Sequence, residues 1–226
     1  MKHILDRPVW SALSTRHEAF AEGGNLARRY RPSIVPFAAT ASDNEDSLLA
    51  LGRLLPPLES AVIVQADEIV LPAGVAAVST ATLVQMIAGQ PMQALSDERV
   101  HRLTQDDAGE MLALASLTKP GPFTLEALSL GEFWGVKIGG RLAAMAGERM
   151  KQPGFTEISG VCSHPDFRGS GLGRLLSLFV AGRIAARGEV PYLHAYASNV
   201  AATKLYESIG FRLRSSMNMA VIQRAQ

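Results

Sequence analysis

The chain has 226 residues, 47% of them hydrophobic and 19% charged, with one cysteine and a formal net charge of +1. That apolar content at near-zero charge excludes a disordered chain; the lone cysteine excludes a disulfide framework or a multi-cysteine zinc site. No stretch approaches the roughly eighteen consecutive apolar residues of a membrane span. The start, MKHILDRPVW, meets Asp6 and Pro8 before an apolar stretch develops, so no secretory signal is expected and the expected location is the cytoplasm. Residues 1–95 carry seven basic and nine acidic groups, and residues 96–226 carry fifteen and twelve. Without a clustered cationic excess, neither nucleic acid nor a membrane surface is expected as a partner, although a small anion needs only one local site. A homodimer is compatible with the sequence, which does not decide oligomeric state.

The first part of the chain reads as short elements: an apolar-periodic stretch from Trp10 to Phe20, a helix from Asp46 to Leu55 stopped by Pro56 and Pro57, and strands at Ala61–Gln65 and Val84–Ala88. From Val100 the pattern becomes regular. A strand at His101–Leu103 leads through Thr104, a helix cap, into a helix from Ala108 to Leu117, with Asp106 and Asp107 suited to its dipole. Phe133–Lys137, Arg141–Arg149 and Thr156–Ser163 then read as an antiparallel meander, with turns at Gly139-Gly140 and Pro153-Gly154. Leu172, Leu175, Leu176, Phe179 and Val180 have the spacing of one buried helix face, which Arg183 continues, so the far end is expected to be less buried. Gly188 ends that helix. A strand at Tyr192–Tyr196, a helix over Val200–Ile209 capped by Asn199, and a last strand pair from Phe211 to Ile222 complete the reading.

The stretch from Val161 to Arg174, VCSHPDFRGSGLGR, sets three glycines within five residues between a strand and a helix. Such a loop turns successive N–H groups toward one spot and adds the positive end of the helix dipole, which suits a pyrophosphate. A P-loop requires GK[ST] after the fourth intervening residue, and a dinucleotide fingerprint requires a third glycine three residues beyond Gly173; both fail.

Arg168-Gly-Ser-Gly-Leu-Gly173 resembles the R/Q-x-x-G-x-G/A motif of the GCN5-related N-acetyltransferases (GNAT), and the stretch from Asn199 to Phe211, NVAATKLYESIGF, is similar to their second signature, N-x-x-A-x-x-L-Y-x-x-x-G-F. The resemblance covers about residues 97–224 and is nearest in flavour to the FR47-like subgroup. It implies a mixed α/β (α+β) fold, in which a mostly antiparallel sheet holds a splayed strand pair and helices flank it. The expected division is a small α/β subdomain over 1–95, of unknown role and packed on the catalytic domain, with a degenerate copy of the same fold as one reading of it, and an acetyltransferase domain over 96–226.

The implied activity is transfer of an acetyl group from acetyl-CoA to a primary amine of an unidentified acceptor, by direct attack in a ternary complex. The alternative is an acyl-CoA-binding sensor or scaffold without catalysis. By resemblance, the pantetheine pairs with the edge formed by Val161, Cys162 and Ser163. The pyrophosphate is held by the amides of Arg168, Gly169, Ser170, Gly171, Leu172, Gly173 and Arg174, and Asn199 both caps its helix and bonds the pantetheine. Glu157, eleven residues before Arg168, stands where histone acetyltransferases of the family carry a base. An ammonium of pKa about 10.4 must lose its proton before it attacks. Glu148 is the fallback, and a water chain the other route. Tyr206 matches the tyrosine that protonates the leaving thiolate, and the Val161 N–H is placed to meet the oxyanion. Cys162, on an apolar strand without an activating base, is expected to be inert. The five histidines lack metal-ligand spacing, so no metal is expected. His194 and Tyr196 either line the acceptor side or pack in the core. Acceptor specificity is implied to sit in Leu117–Glu132, where Lys119-Pro-Gly-Pro-Phe123 reads either as a wall of the site or as a plain connector.

Overall fold

Eight strands drawn from both parts of the chain share one sheet in the computed structural model, which describes residues 3–225. In chain order the elements are α1 (Pro8–Leu13), β1 (Ala21–Gly23), β2 (Ala27–Tyr30), β3 (Ala38–Thr40), α2 (Glu45–Leu54), β4 (Ser60–Gln65), β5 (Val75–Ala88) and β6 (Val100–Leu103). There follow α3 (Ala108–Thr118), β7 (Phe133–Ile138), β8 (Arg141–Gln152), β9 (Phe155–Ser163), α4 (Leu172–Ala186), β10 (Val190–Tyr196), α5 (Val200–Ser208) and β11 (Phe211–Arg224). The large sheet runs β4-β11-β5-β10-β9-β8-β7-β6, and a small one runs β1-β2-β3. All pairings are antiparallel except β9 with β10. This is the expected mixed, mostly antiparallel sheet with flanking helices. Among the described residues no helix is long and apolar enough to cross a membrane.

The expected division after residue 95 does not appear in the sheet. β5 lies between β11 and β10, and β4 is the edge strand beyond β11, so residues 60–88 complete the sheet of the second part. Residues before β4 form the small sheet with α1 and α2. They are tied in as well, since the Gln152 side chain on β8 donates to the Pro8 carbonyl at 2.8 Å and Leu5 packs with Ile87 and Tyr192. A free-standing subdomain would leave β10 and β11 with unpaired backbone on facing edges, a cost that insertion of β5 removes.

Three further expectations change. The stretch from Trp10 to Phe20 splits into α1 and a 3₁₀ turn at Glu18–Phe20. The last strand pair is one fourteen-residue strand, β11, whose register against β5 shifts between Leu213 and Ser215. Arg214, left over at that shift, turns its side chain to Gln85 and Asp6. The buried face of α4 runs on through Ala181 and Ile184, while Arg183 stands outside it, stacked on Trp134. Thr104 forms its capping box with Asp107, over a 3₁₀ turn that precedes α3.

Connector 89–99 crosses α4 at Gly182, where a side-chain carbon would collide with the Gln93 carbonyl oxygen. Gly182→Ala must push the connector off the helix. We expect it to lower stability by about 1–3 kcal/mol in urea unfolding and to open residues 89–99 to protease; unchanged stability and unchanged cleavage would refute this packing.

Candidate active site

β9 and β10 pair from Phe155 with Val190 as far as Ile158 with Leu193, and then part. Two features of the backbone drive the parting. Gly160 has φ +64°, a conformation that L side chains rarely adopt, and the register of β9 against β8 shifts between Ser159 and Cys162. This is a bulge, and bulges bend the strand that carries them. Beyond it Cys162 and Ser163 remain on β8, and Val161, Cys162 and Ser163 have no partner on β10, whose His194, Ala195 and Tyr196 pair only with β5.

A cavity of about 270 Å³ occupies the fork. Val161, Cys162 and Ser163 form one wall, with Arg168, Asn199 and Tyr206 at the end toward the glycine loop. At the other end stand Arg149 and the apolar side chains of Phe37, Val64, Leu83 and Met219, and the loop from Thr118 to Pro122 closes a further side. Of the two readings of the Lys119–Phe123 loop, the wall is therefore the observed one for Lys119–Pro122. His194 and Tyr196 also line the cavity.

The glycine loop follows a 3₁₀ turn at Pro165–Phe167. Gly169 and Gly171 have φ +77° and +79°, and Gly171 is the N-cap of α4. The first bond of that helix is Leu175 N–H to the Gly171 carbonyl at 3.0 Å, so the N–H groups of Leu172, Gly173 and Arg174 have no acceptor within the helix. Open space adjoins both left-handed glycines. Among the described residues, neither Arg168 nor Arg174 has an ion-pair partner. Gly173 lies next to Ser163 and Leu205, which brings the loop up to the end of β9.

Glu157 does not fit the base role expected of it. It is completely buried and does not line the cavity. Its carboxylate accepts from Arg149 Nε (2.8 Å) and Nη2 (2.7 Å), from the Met150 N–H (3.3 Å), and from Nδ1 of His194 (2.7 Å). Burial alone would raise its pKa. The Arg149 charge and hydrogen bonds, helped by His194, outweigh burial and hold it at about 2. Glu148, the fallback, is buried against Lys151 and Arg187 and is likewise outside the cavity.

The protonation of His194 follows from its neighbours. Gln85 Oε1 accepts from Arg214, so its amide nitrogen faces Leu5 O and His194 Nε2, each at 2.9 Å. An N–H donor there requires an unprotonated Nε2, which leaves the proton on Nδ1, directed at Glu157. Both ring nitrogens are thus engaged.

Tyr206, 7% exposed, lines the cavity, and its hydroxyl has no hydrogen-bond partner among the described residues. Burial, with the neighbouring Cys162, raises its pKa to about 12, so it stays protonated. Burial also raises the Cys162 thiol to about 11, too high for a nucleophilic thiolate at neutral pH. Asn199 caps α5, its Oδ1 accepting from the Ala202 N–H at 3.1 Å, which leaves its amide N–H groups for another partner. Among the described residues no group of three or more His, Cys, Asp or Glu side chains could hold a metal ion.

Arg149, Phe37, Val64, Leu83 and Met219 were not marked by any motif. Arg149 alone carried a signal, as a cation at the end of the small and apolar run Leu142–Gly147.

Because the folded Glu157 pKa lies below its ordinary value of 4.5, its contribution to stability is complete above about pH 4.5 and is lost as pH falls toward 2. Glu157→Gln leaves Arg149 buried without a counter-charge. We expect this to cost about 3–5 kcal/mol at pH 7, with the gap to wild type closing over that acid window in denaturant titrations. A gap that is constant with pH would contradict the ion pair.

Comparison with known proteins places the chain. The family model described as FR47-like protein matches residues 134–220. A crystal structure assigned to the GNAT acetyltransferases, from Novosphingobium aromaticivorans, is 41% identical over the whole of both chains, with a TM-score of 0.94. A GCN5-related N-acetyltransferase from Kribbella flavida is 16% identical, over 93% of this chain and 95% of its own, with a TM-score of 0.60. Another from Sphaerobacter thermophilus is 18% identical, over 80% and 65%, with a TM-score of 0.51. The last two show likeness of fold alone, and no curated protein is significantly similar. The end-to-end relative at 41% identity, with the FR47-like match inside it, shows that the chain belongs to the GCN5-related N-acetyltransferases and is an acetyltransferase.

Proposed function

We propose that the protein transfers the acetyl group of acetyl-CoA to a primary amine by direct attack within a ternary complex. The carrying observation is the fork: an unpaired stretch of β9 meets a helix N-terminus with free N–H groups and two unpaired arginines, and a cavity leads from their junction. These parts fit the donor piece by piece. The amides of residues 168–174, with Arg168 and Arg174, suit a pyrophosphate. The β9 edge from Val161 to Ser163 and the free amide N–H groups of Asn199 suit the pantetheine. The thioester then lies in the cavity beside Tyr206.

The amine nitrogen attacks the thioester carbonyl carbon; the C–N bond forms and the C–S bond breaks. Negative charge developing on the carbonyl oxygen is met by the Val161 N–H, which lies at the bulge and has no partner position on β8. The departing sulfur takes a proton from Tyr206, which solvent restores. A phenol at about 12 is a weak acid for an ordinary thiolate near 8.5. The transfer is concerted with C–S cleavage and is driven by the thiolate charge that develops in a cavity poor in solvent. The amine proton goes to water, since no carboxylate among the described residues lines the cavity and both nitrogens of His194 are engaged.

Tyr206→Phe is expected to lower kcat about 100-fold and to leave acetyl-CoA affinity unchanged, as measured by CoA release and by calorimetry; wild-type kcat would rule out the proton donor. With water as proton acceptor, kcat/KM rises tenfold per pH unit up to the pKa of the acceptor itself. Acceptors whose amines differ by one pKa unit should shift that midpoint by one unit. A midpoint fixed across acceptors would reveal a base on the enzyme.

A further inference from the structure

The chemistry of the cavity's far end selects among amines. Among the described residues no Asp or Glu lines it, while Lys119, Arg149 and Arg168 do. Arg168 stands at the loop end. Arg149 stands at the other end and Lys119 on the side closed by its loop, and Lys119 has no ion-pair partner among the described residues. A polycationic acceptor entering here finds no carboxylate among the described lining residues to receive its second ammonium.

Arg149 is oriented for a different ligand. Its Nε and Nη2 are spent on Glu157, and the face of its guanidinium rests on Phe37, with the central carbon 4.8 Å from the ring centroid. Nη1 has no hydrogen-bond partner among the described residues and lies beside Gly121, itself a cavity residue. Ion pair and stacking together hold the side chain in one pose, so the donor edge is preorganised. Glu157 balances the charge of Arg149 through Nε and Nη2, so what Nη1 offers the cavity is an unused, oriented N–H donor edge. Around the edge the walls are apolar: Phe37, Val64, Leu83, Met219 and Pro122.

We infer that the acceptor is a small amine bearing both a carboxylate and an apolar group, such as a free apolar amino acid, with the carboxylate held by Arg149 Nη1 and the apolar group against Phe37, Val64 and Leu83. This rests on the acetyl-transfer reading above. The reaction is that already written, with the α-amino nitrogen as nucleophile.

The test compares matched acceptors on the wild-type protein: L-leucine with 3-methylbutylamine, L-phenylalanine with phenethylamine, and spermidine. Rates are corrected for the fraction of free amine and read as CoA thiol and product mass. Loss of a charge-assisted contact predicts about 10- to 100-fold lower kcat/KM for each decarboxylated partner, with spermidine lowest. Arg149→Lys keeps the charge but not the fork. It should raise KM for the amino acids about tenfold or more beyond any change in KM for the decarboxylated amines, so that the ratio between matched partners collapses. If the decarboxylated amines or spermidine are acetylated as well as the amino acids, the inference falls and acetyl transfer stands. If acetyl-CoA does not bind and no acceptor is acetylated, both fall together.

Discussion

Everything the site does depends on two neighbouring strands separating. Parallel strands held by regular hydrogen bonds leave no room for a ligand between them, and β9 and β10 are so bonded only as far as Ile158 and Leu193. The bulge at Gly160 bends β9 away, and a side-chain clamp fixes where the separation starts: Glu157, inside the paired stretch, reaches His194, the first residue of β10 without a partner on β9. Arg149 on β8 closes the clamp from the other side. A fully buried carboxylate is costly unless its lone pairs are filled, and here four donors fill them. The residue expected to act on the substrate proton instead holds the strands at the point where they part.

The clamp also sets the character of the cavity. It holds the Glu157 carboxylate out of the cavity, whose end at Arg149 is lined by that cation and by hydrocarbon, and both nitrogens of His194 are engaged. A cavity without a base is no obstacle where the amine can lose its proton to water before it binds. The hydrocarbon comes largely from the early part of the chain, since Phe37, Val64 and Leu83 all precede the recognised motifs. Leu83 reaches the cavity because β5 is inserted between β10 and β11, and Val64 and Phe37 because β4 pairs with β11 and Phe37 bridges to β4, so the strands that complete the sheet also shape the cavity.

The sequence made the second part of the fold legible because its elements are strongly punctuated. Gly139-Gly140 and Pro153-Gly154 mark the meander, and the two motifs bracket β10. β5 was half seen: its start, Ala76 to Thr82, is small and polar without alternation, being largely exposed, and gives no period-two signal. That it joins a sheet more than a hundred residues away is a long-range pairing which local pattern does not encode. β11 looked like two strands because Arg214-Ser-Ser216 resembles a turn, whereas a bulge that sends Arg214 to Gln85 accounts for the interruption. Among site residues, those on the loop and at Tyr206 were marked by motif. The Arg149–Glu157–His194 clamp was not, because its partners lie on three strands and meet only through register.

The central claim is that the unpaired edge of β9 at the fork receives acetyl-CoA. Amide hydrogen exchange, measured with and without acetyl-CoA, tests it most directly. The account predicts added protection at Val161, Cys162 and Ser163, and in the loop from Arg168 to Arg174, with the paired stretch Phe155–Ile158 unchanged. Tight binding of acetyl-CoA without protection of the β9 edge would contradict it.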